Sequence, residues 1–170
     1  HYPKQCIYFS GGGSLCYDTL GCGSVWNNDK PHVVYGYAVV DSACSLTVNA
    51  GTRVYFHQNA GLWVYRYGEI HVLGTAAQPV TFQGDRREPE YADEPGQWDR
   101  IWIMEGGPTN KNEIDYAIIK NSFIGIQAEY SFFPWATAGE RGNLKLTNTT
   151  IQNCSGIGLL ARYYEIQGGN

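Results

Sequence analysis

Charge is scarce in this chain, at 16% of 170 residues, and 12 Lys and Arg against 16 Asp and Glu leave a net charge of −4. That balance lacks the basic face on which binding to nucleic acid or to an anionic membrane depends. No apolar run reaches the roughly 18 residues that cross a bilayer, so no membrane span is expected. Sustained helical periodicity is missing as well: no window of about 11 residues repeats apolar positions at i, i+3, i+4 and i+7 between caps. The chain has no GxSxG, HExxH, P-loop or GxGxxG motif, and Gly11-Gly12-Gly13 is not followed by Lys and Ser or Thr, which counts against nucleotide chemistry. Its five cysteines, at 6, 16, 22, 44 and 154, match neither zinc-ligand nor CxxC spacing. No metal and no cofactor are expected.

What is abundant is β-branched and aromatic sequence. The composition is 43% hydrophobic and 14% aromatic, with 21 Gly. From Pro31 onward, short runs such as VVYGYAVV, SLTV, TRVYF, LWVYRY, EIHVL, DRIWIM, IDYAII and IGLLA alternate with Gly, Asn, Asp or Pro, which is the pattern of short strands in an all-β domain. Residues 1–30 are rich in Gly, Ser, Asn and Cys and read as an extended, loop-like N-terminal segment. A Cys16–Cys22 bridge is sterically accessible there and needs an oxidising compartment. Cys44 and Cys154 lie in strand-like runs and read as small buried apolar residues.

The strands repeat. Leu46-x-Val48-x-Ala50-Gly51-Thr52-x-Val54-x-Phe56 is echoed by Ile70-x-Val72-x-Gly74-Thr75 and Val80-x-Phe82, at offsets of 24 and then 26. Ile114–Ser122 is echoed by Leu146–Cys154 at an offset of 32, which superimposes Asn121 on Asn153. Such periods predict a parallel β-helix of about five coils over residues 31–170, in preference to a β-sandwich, with loop insertions near 83–100 and 129–142. Asn121 and Asn153 are expected at tight corners, stacked as a ladder.

These segments, LTVNAGTRVYF (46–56), IHVLGTAAQPVTFQG (70–84), GQWDRIWI (96–103), IDYAIIKNSFIGIQA (114–128) and LTNTTIQNCSGIGLLA (146–161), resemble right-handed parallel β-helix proteins among the predicted surface lipoproteins of Bacteroidota. The resemblance implies a cell-envelope, outer-membrane-surface or extracellular protein with no assigned reaction. Asp18-Thr19-Leu20 and Asp41-Ser42-Ala43 are similar to the O-glycosylation tripeptide of such proteins, which makes Thr19 and Ser42 candidate acceptors. Asn148-Thr149-Thr150 and Asn153-Cys154-Ser155 fit the N-glycosylation pattern of a eukaryotic secretory host.

For ligand contacts the sequence offers two loops. Residues 83–100 supply Arg86, Arg87 and Trp98 amid six acids, and the segment 131–139 supplies Phe132, Phe133 and Trp135, an apolar tip that calls for a covering partner. Trp63 and Trp102 fall in matching runs, GLWVY and RIWIM, with the inward direction favoured for at least one of them. The expected function is a non-catalytic scaffold or binding module for a protein or a polysaccharide, with a protein partner or further coils at the C-terminal end. The alternative is a carbohydrate-active lyase or hydrolase using acids of the 83–100 loop, or Asp115 and Glu129.

Overall fold

The computed structural model describes residues 1–104, 106, 109–129, 143–162 and 165–168. An N-terminal pair, β1 (Gln5–Tyr8) and β2 (Ser14–Thr19), is followed by triplets of short strands. The first triplet is β3 (Ser24–Trp26), β4 (His32–Val34) and β5 (Tyr37–Val40), and the second is β6 (Ser45–Asn49), β7 (Arg53–Phe56) and β8 (Gly61–Val64). Then come β9 (Glu69–Leu73), β10 (Val80–Gly84) and β11 (Ile101–Ile103), and after them β12 (Asn112–Asp115), β13 (Ala117–Lys120) and β14 (Ile124–Glu129). The last are β15 (Asn143–Thr147), β16 (Thr150–Gln152), β17 (Ile157–Arg162) and β18 (Glu165–Gln167). Every third strand pairs in parallel, which gives a six-stranded sheet (β3-β6-β9-β12-β15-β18), a five-stranded sheet (β4-β7-β10-β13-β16) and a seven-stranded sheet begun by β1 and β2. This all-β, parallel arrangement is compatible with a β-helix or solenoid. Among the described residues no helix is long and apolar enough to cross a membrane.

Alternation along each strand sends one set of side chains into a shared core. The six-stranded sheet contributes Leu46, Val48, Ile70, Val72 and Ile114, the five-stranded sheet Val54, Phe56, Val80, Phe82 and Ile119, and the seven-stranded sheet Leu62, Val64, Ile101, Ile103 and Ile126, all fully buried. The offset of 24 between Leu46 and Ile70 is an actual strand register. The offset of 26 is not: Phe82 pairs with Val54, and Gly84, rather than Phe82, lies beside Phe56. A slip of two residues keeps every side chain on its own face, so the pattern alone tolerates it.

The N-terminal segment departs from the loop-like expectation. It holds three strands, with β1 antiparallel to β2, and β2 and β3 already paired to later strands. Its disulfides correct the expected Cys16–Cys22 bridge. Cys16 pairs with Cys6, its direct neighbour across the hairpin, and Cys22 pairs with Cys44. Positions 22 and 44 share the offset of Ser24 and Leu46, which are in register, so the second bridge joins equivalent corners of successive triplets. Cys44 is therefore a half-cystine rather than a buried thiol, while Cys154 is free, half-buried and 3.3 Å from Ser122 Oγ.

The loop between β10 and β11 is held against the sheets. A 3₁₀ turn, Pro89–Tyr91, brings the carbonyls of Tyr91 and Ala92 within 3.2 and 3.0 Å of Asn121 Nδ2, which donates to both. Asn121 and Asn153 occupy the left-handed region at φ 66° and 52°, where Asn is among the most tolerated residues. Asn153 Nδ2 donates to Asp93 Oδ1 at 3.1 Å. Trp98, expected as a ligand contact, is only 1% exposed. Its ring stacks on Phe56 at 4.3 Å and its Nε1 donates to the Lys120 carbonyl at 2.8 Å. Gly84 makes this docking feasible, because a Cβ there would lie 2.2 Å from Gln97 Oε1.

Trp98→Ala removes a buried ring and should cost about 3–5 kcal/mol in chemical unfolding; a loss below about 1 kcal/mol would show that the loop does not rest on this contact. His32 stacks on Trp26 at 4.9 Å, and burial lowers its pKa below the ordinary 6.5, against the opposing pull of the Asn27 carbonyl and Asp29. The unfolded chain then binds the proton that the folded chain refuses, so stability should fall as pH drops through 6.5. Melting temperatures across that range should show the decline, and His32→Gln should flatten it.

Candidate functional site

The inward residues on either side of Trp63 and Trp102 fix where these rings go. Leu62 and Val64, like Ile101 and Ile103, fill the core, so both tryptophans stand on the outer face of the seven-stranded sheet. The inward direction expected for at least one of them is corrected by this alternation. Trp63 and Trp102 are in direct register, with ring centroids 5.1 Å apart and planes 11° from parallel. Indoles that close and that parallel must overlap face to face, so they do not form a flat platform. Trp102 Nε1 donates to Glu129 Oε1 at 2.9 Å, and Arg162 holds the other carboxylate oxygen at 3.1 Å.

On the opposite side of Trp63 the outward row steps down to Val39 and then Thr19. The second face of the Trp63 ring therefore overlooks small side chains, and a notch of about 440 Å³ opens there. Tyr65, edge-on to Trp63 at 5.5 Å, closes one side, and Tyr17 with Gln5 and Ile7 of the N-terminal hairpin closes another. Asp41, whose Oδ1 accepts the Ser42 amide at 2.7 Å, is the one charged side chain lining the notch among the described residues.

A larger cleft of about 680 Å³ lies at the starts of the same strands. Tyr37 donates its hydroxyl proton to Asp99 Oδ2, and Arg100 donates to Asp99 Oδ1 through Nε at 2.9 Å and Nη2 at 2.8 Å. Arg100 Nη1 also donates to Gln127 Oε1. Burial, followed by the hydrogen bond to Asp99, pushes the Tyr37 phenol far above its ordinary value, so it stays protonated and serves as a donor. Gly61 is required beside it, since a Cβ there would lie 2.7 Å from the Tyr37 ring. Phe123 and Phe9 are exposed at the rim, and the Arg100 guanidinium lies 5.8 Å from the Phe123 ring centre.

The other residues singled out in the sequence are dispersed. Arg86 stacks on Tyr91 at 3.8 Å and pairs with Glu88 at 3.4 Å, while Arg87 lies 5.5 Å over Tyr55. Both line a small cavity with Lys120 and Asn121, which neither Trp63 nor Trp102 lines. Asp115 accepts Thr147 Oγ1 at 2.7 Å and Asn148 Nδ2 at 2.9 Å on the six-stranded sheet, so it does not meet Glu129 of the seven-stranded sheet. Partial burial opposes ionisation of Asp115, but the hydrogen bonds from Asn148 and Thr147, with Lys145 nearby, hold its carboxyl below the usual range. Thr19 is exposed at the notch and Ser42 is exposed beside Asp41. Phe132, Phe133 and Trp135 lie outside the described residues.

Tyr17, Tyr37 and Asp41 carried no signal as site residues in the sequence. The available cue was the size order Val39, Trp63, Trp102 at equivalent strand positions, and it becomes readable only once the register is known. No protein-family model matches this chain, and neither does a curated protein or a solved structure.

Proposed function

We propose that this chain is a non-catalytic binding module, built as a right-handed parallel β-helix of about five coils, and that the notch beside Trp63 binds carbohydrate. The observation that carries this reading is the uncovered second face of the Trp63 ring above Val39 and Thr19. A sugar ring presents an apolar C–H face that stacks on such an aromatic face, while its hydroxyls need polar partners at the edge. Gln5 and Asp41, which line the notch, offer polar groups for this. Triplets of strands pairing at every third position support the coil architecture.

The competing reading as a lyase or hydrolase finds less support. Glycoside hydrolysis generally uses two carboxyl groups about 5–10 Å apart. The described lining of the notch has one acid, Asp41, and that of the cleft has one, Asp99, which is already bonded to Tyr37 and Arg100; of the 83–100 loop acids, Asp85 and Glu94 share a smaller cavity, where Asp85 is taken up by His57 Nδ1 at 2.7 Å. Two disulfides fit an oxidising compartment, in keeping with a cell-envelope or extracellular location.

Titration of tryptophan fluorescence with a panel of soluble glycans tests the binding reading. A ligand of the intact protein should bind at least tenfold more weakly to Trp63→Ala, and also to Val39→Phe, which fills the notch and leaves the indole in place. Unchanged affinity in both variants, with folding verified by circular dichroism, would overturn it. For the compartment, thiol alkylation of the native protein without reductant should label Cys154 alone, and after reduction under denaturing conditions all five cysteines. Labelling of Cys44 before reduction, or a mapped Cys16–Cys22 peptide, would contradict the pairing.

A further inference from the structure

The notch and the cleft lie on consecutive outward positions of the same strands. Tyr37 of the cleft and Val39 of the notch are two residues apart on β5, as are Leu15 and Tyr17 on β2. Outward positions two residues apart are separated by about 7 Å, so the path from Tyr37 to Asp41 runs about 13 Å along the strand. That is longer than one sugar ring needs. The Tyr37 ring, edge-on to Trp63 at 6.4 Å, forms the sill between the two cavities.

The far cavity has its own equipment for a ligand. Asp99, Arg100 and Tyr37 line it and are locked together by hydrogen bonds, with the buried Gln127 holding Arg100 from behind, so their remaining polar edges are held in fixed directions and lose little freedom on binding. Phe123 is 48% exposed and Phe9 is 56% exposed at the rim, two rings left in water beside that polar set. The charges along the path also select. Asp99 and Arg100 neutralise one another, and the notch adds only Asp41, so nothing in the described lining rewards an anionic ligand.

Resting on the carbohydrate reading above, we infer that the two cavities form one groove for an extended, uncharged oligosaccharide of at least two contiguous residues, lying along the strand direction between Trp63 and Phe123. One sugar ring stacks on Trp63, the chain crosses the Tyr37 sill, and a further ring meets Phe123 beside Arg100 and Asp99. No bond is made or broken.

The test is an immobilised array of neutral, uronate-containing and sulfated oligosaccharides graded from monosaccharide to octasaccharide, probed with the intact protein and two variants. Neutral members should bind, with affinity rising about three- to tenfold when the chain becomes long enough to reach the second cavity. Phe123→Ser, a change at an exposed ring, should remove most of that gain with length, and Trp63→Ala should weaken every bound member. Affinity independent of length, or a length gain that Phe123→Ser leaves intact, would overturn the extended groove and leave the Trp63 notch standing. Preference for uronate or sulfated members would overturn the uncharged class. Binding to no member would overturn the carbohydrate reading itself.

Discussion

Hydrogen bonding between each strand and the third strand after it is the constraint from which the rest of this molecule follows. Once Leu46 is fixed beside Ile70, and Ile114 beside Leu146, every side chain stands over its counterpart on the next strand. Inward positions are then apolar in most triplets, and a polar side chain is accepted there only with partners of its own: His32 lies at the Asn27 carbonyl, and Asn112 accepts the Ile70 amide and donates to the Asn143 carbonyl. The corners are constrained too. Reversal between short strands draws residues into the left-handed region, and it does so at Gly36, Gly51, Asn121, Asn148 and Asn153, and also at Tyr116, a residue with no intrinsic preference for it.

The same constraint explains why loops are tolerated where they occur. A chain leaving the ladder at a corner breaks no inter-strand bond, so the segment between β10 and β11 grows without disturbing either sheet. It is then secured by its own contacts. Trp98 re-enters the core against Phe56, and Asn121 and Asn153 hold the loop by their side-chain amides. A stretch dense in charge is thereby made part of the fold, and its last residues, Asp99 and Arg100, are delivered to the mouth of the cleft with fixed orientation.

The notch beside Trp63 has a comparable origin. Stacking in register turns a difference in residue size between neighbouring strands into a step on the surface, and the step from Trp63 down to Val39 and Thr19 is the notch. The hairpin closed by the Cys6–Cys16 bridge adds a wall where a bare sheet would offer only an edge. The proposed binding surface is built from outward side chains that the core does not need, which leaves them free to differ from triplet to triplet.

The sequence by itself determined the all-β class and the repeating short strands, because alternation and β-branching are local properties that survive without knowledge of partners; it did not say which of the two alternating faces is the interior. It also located Asn121 over Asn153, since an Asn closing a strand run repeats at a fixed offset. Tertiary structure alone decided the direction of Trp63 and Trp102, the burial of Trp98, the pairing of Cys6 with Cys16 and of Cys22 with Cys44, and the meeting of Tyr37 with Asp99 across 62 positions. The burial of Trp98, the Cys22–Cys44 bridge and the Tyr37–Asp99 contact depend on register between separate turns of the chain, the Cys6–Cys16 bridge on the register of one hairpin, and the direction of the tryptophans on which face the core takes. A shift of two residues leaves the alternation unchanged while changing which side chains touch, so alternation alone does not fix the neighbours: the repeat offsets of 24 and 32 match real registers, whereas the offset of 26 misses by two.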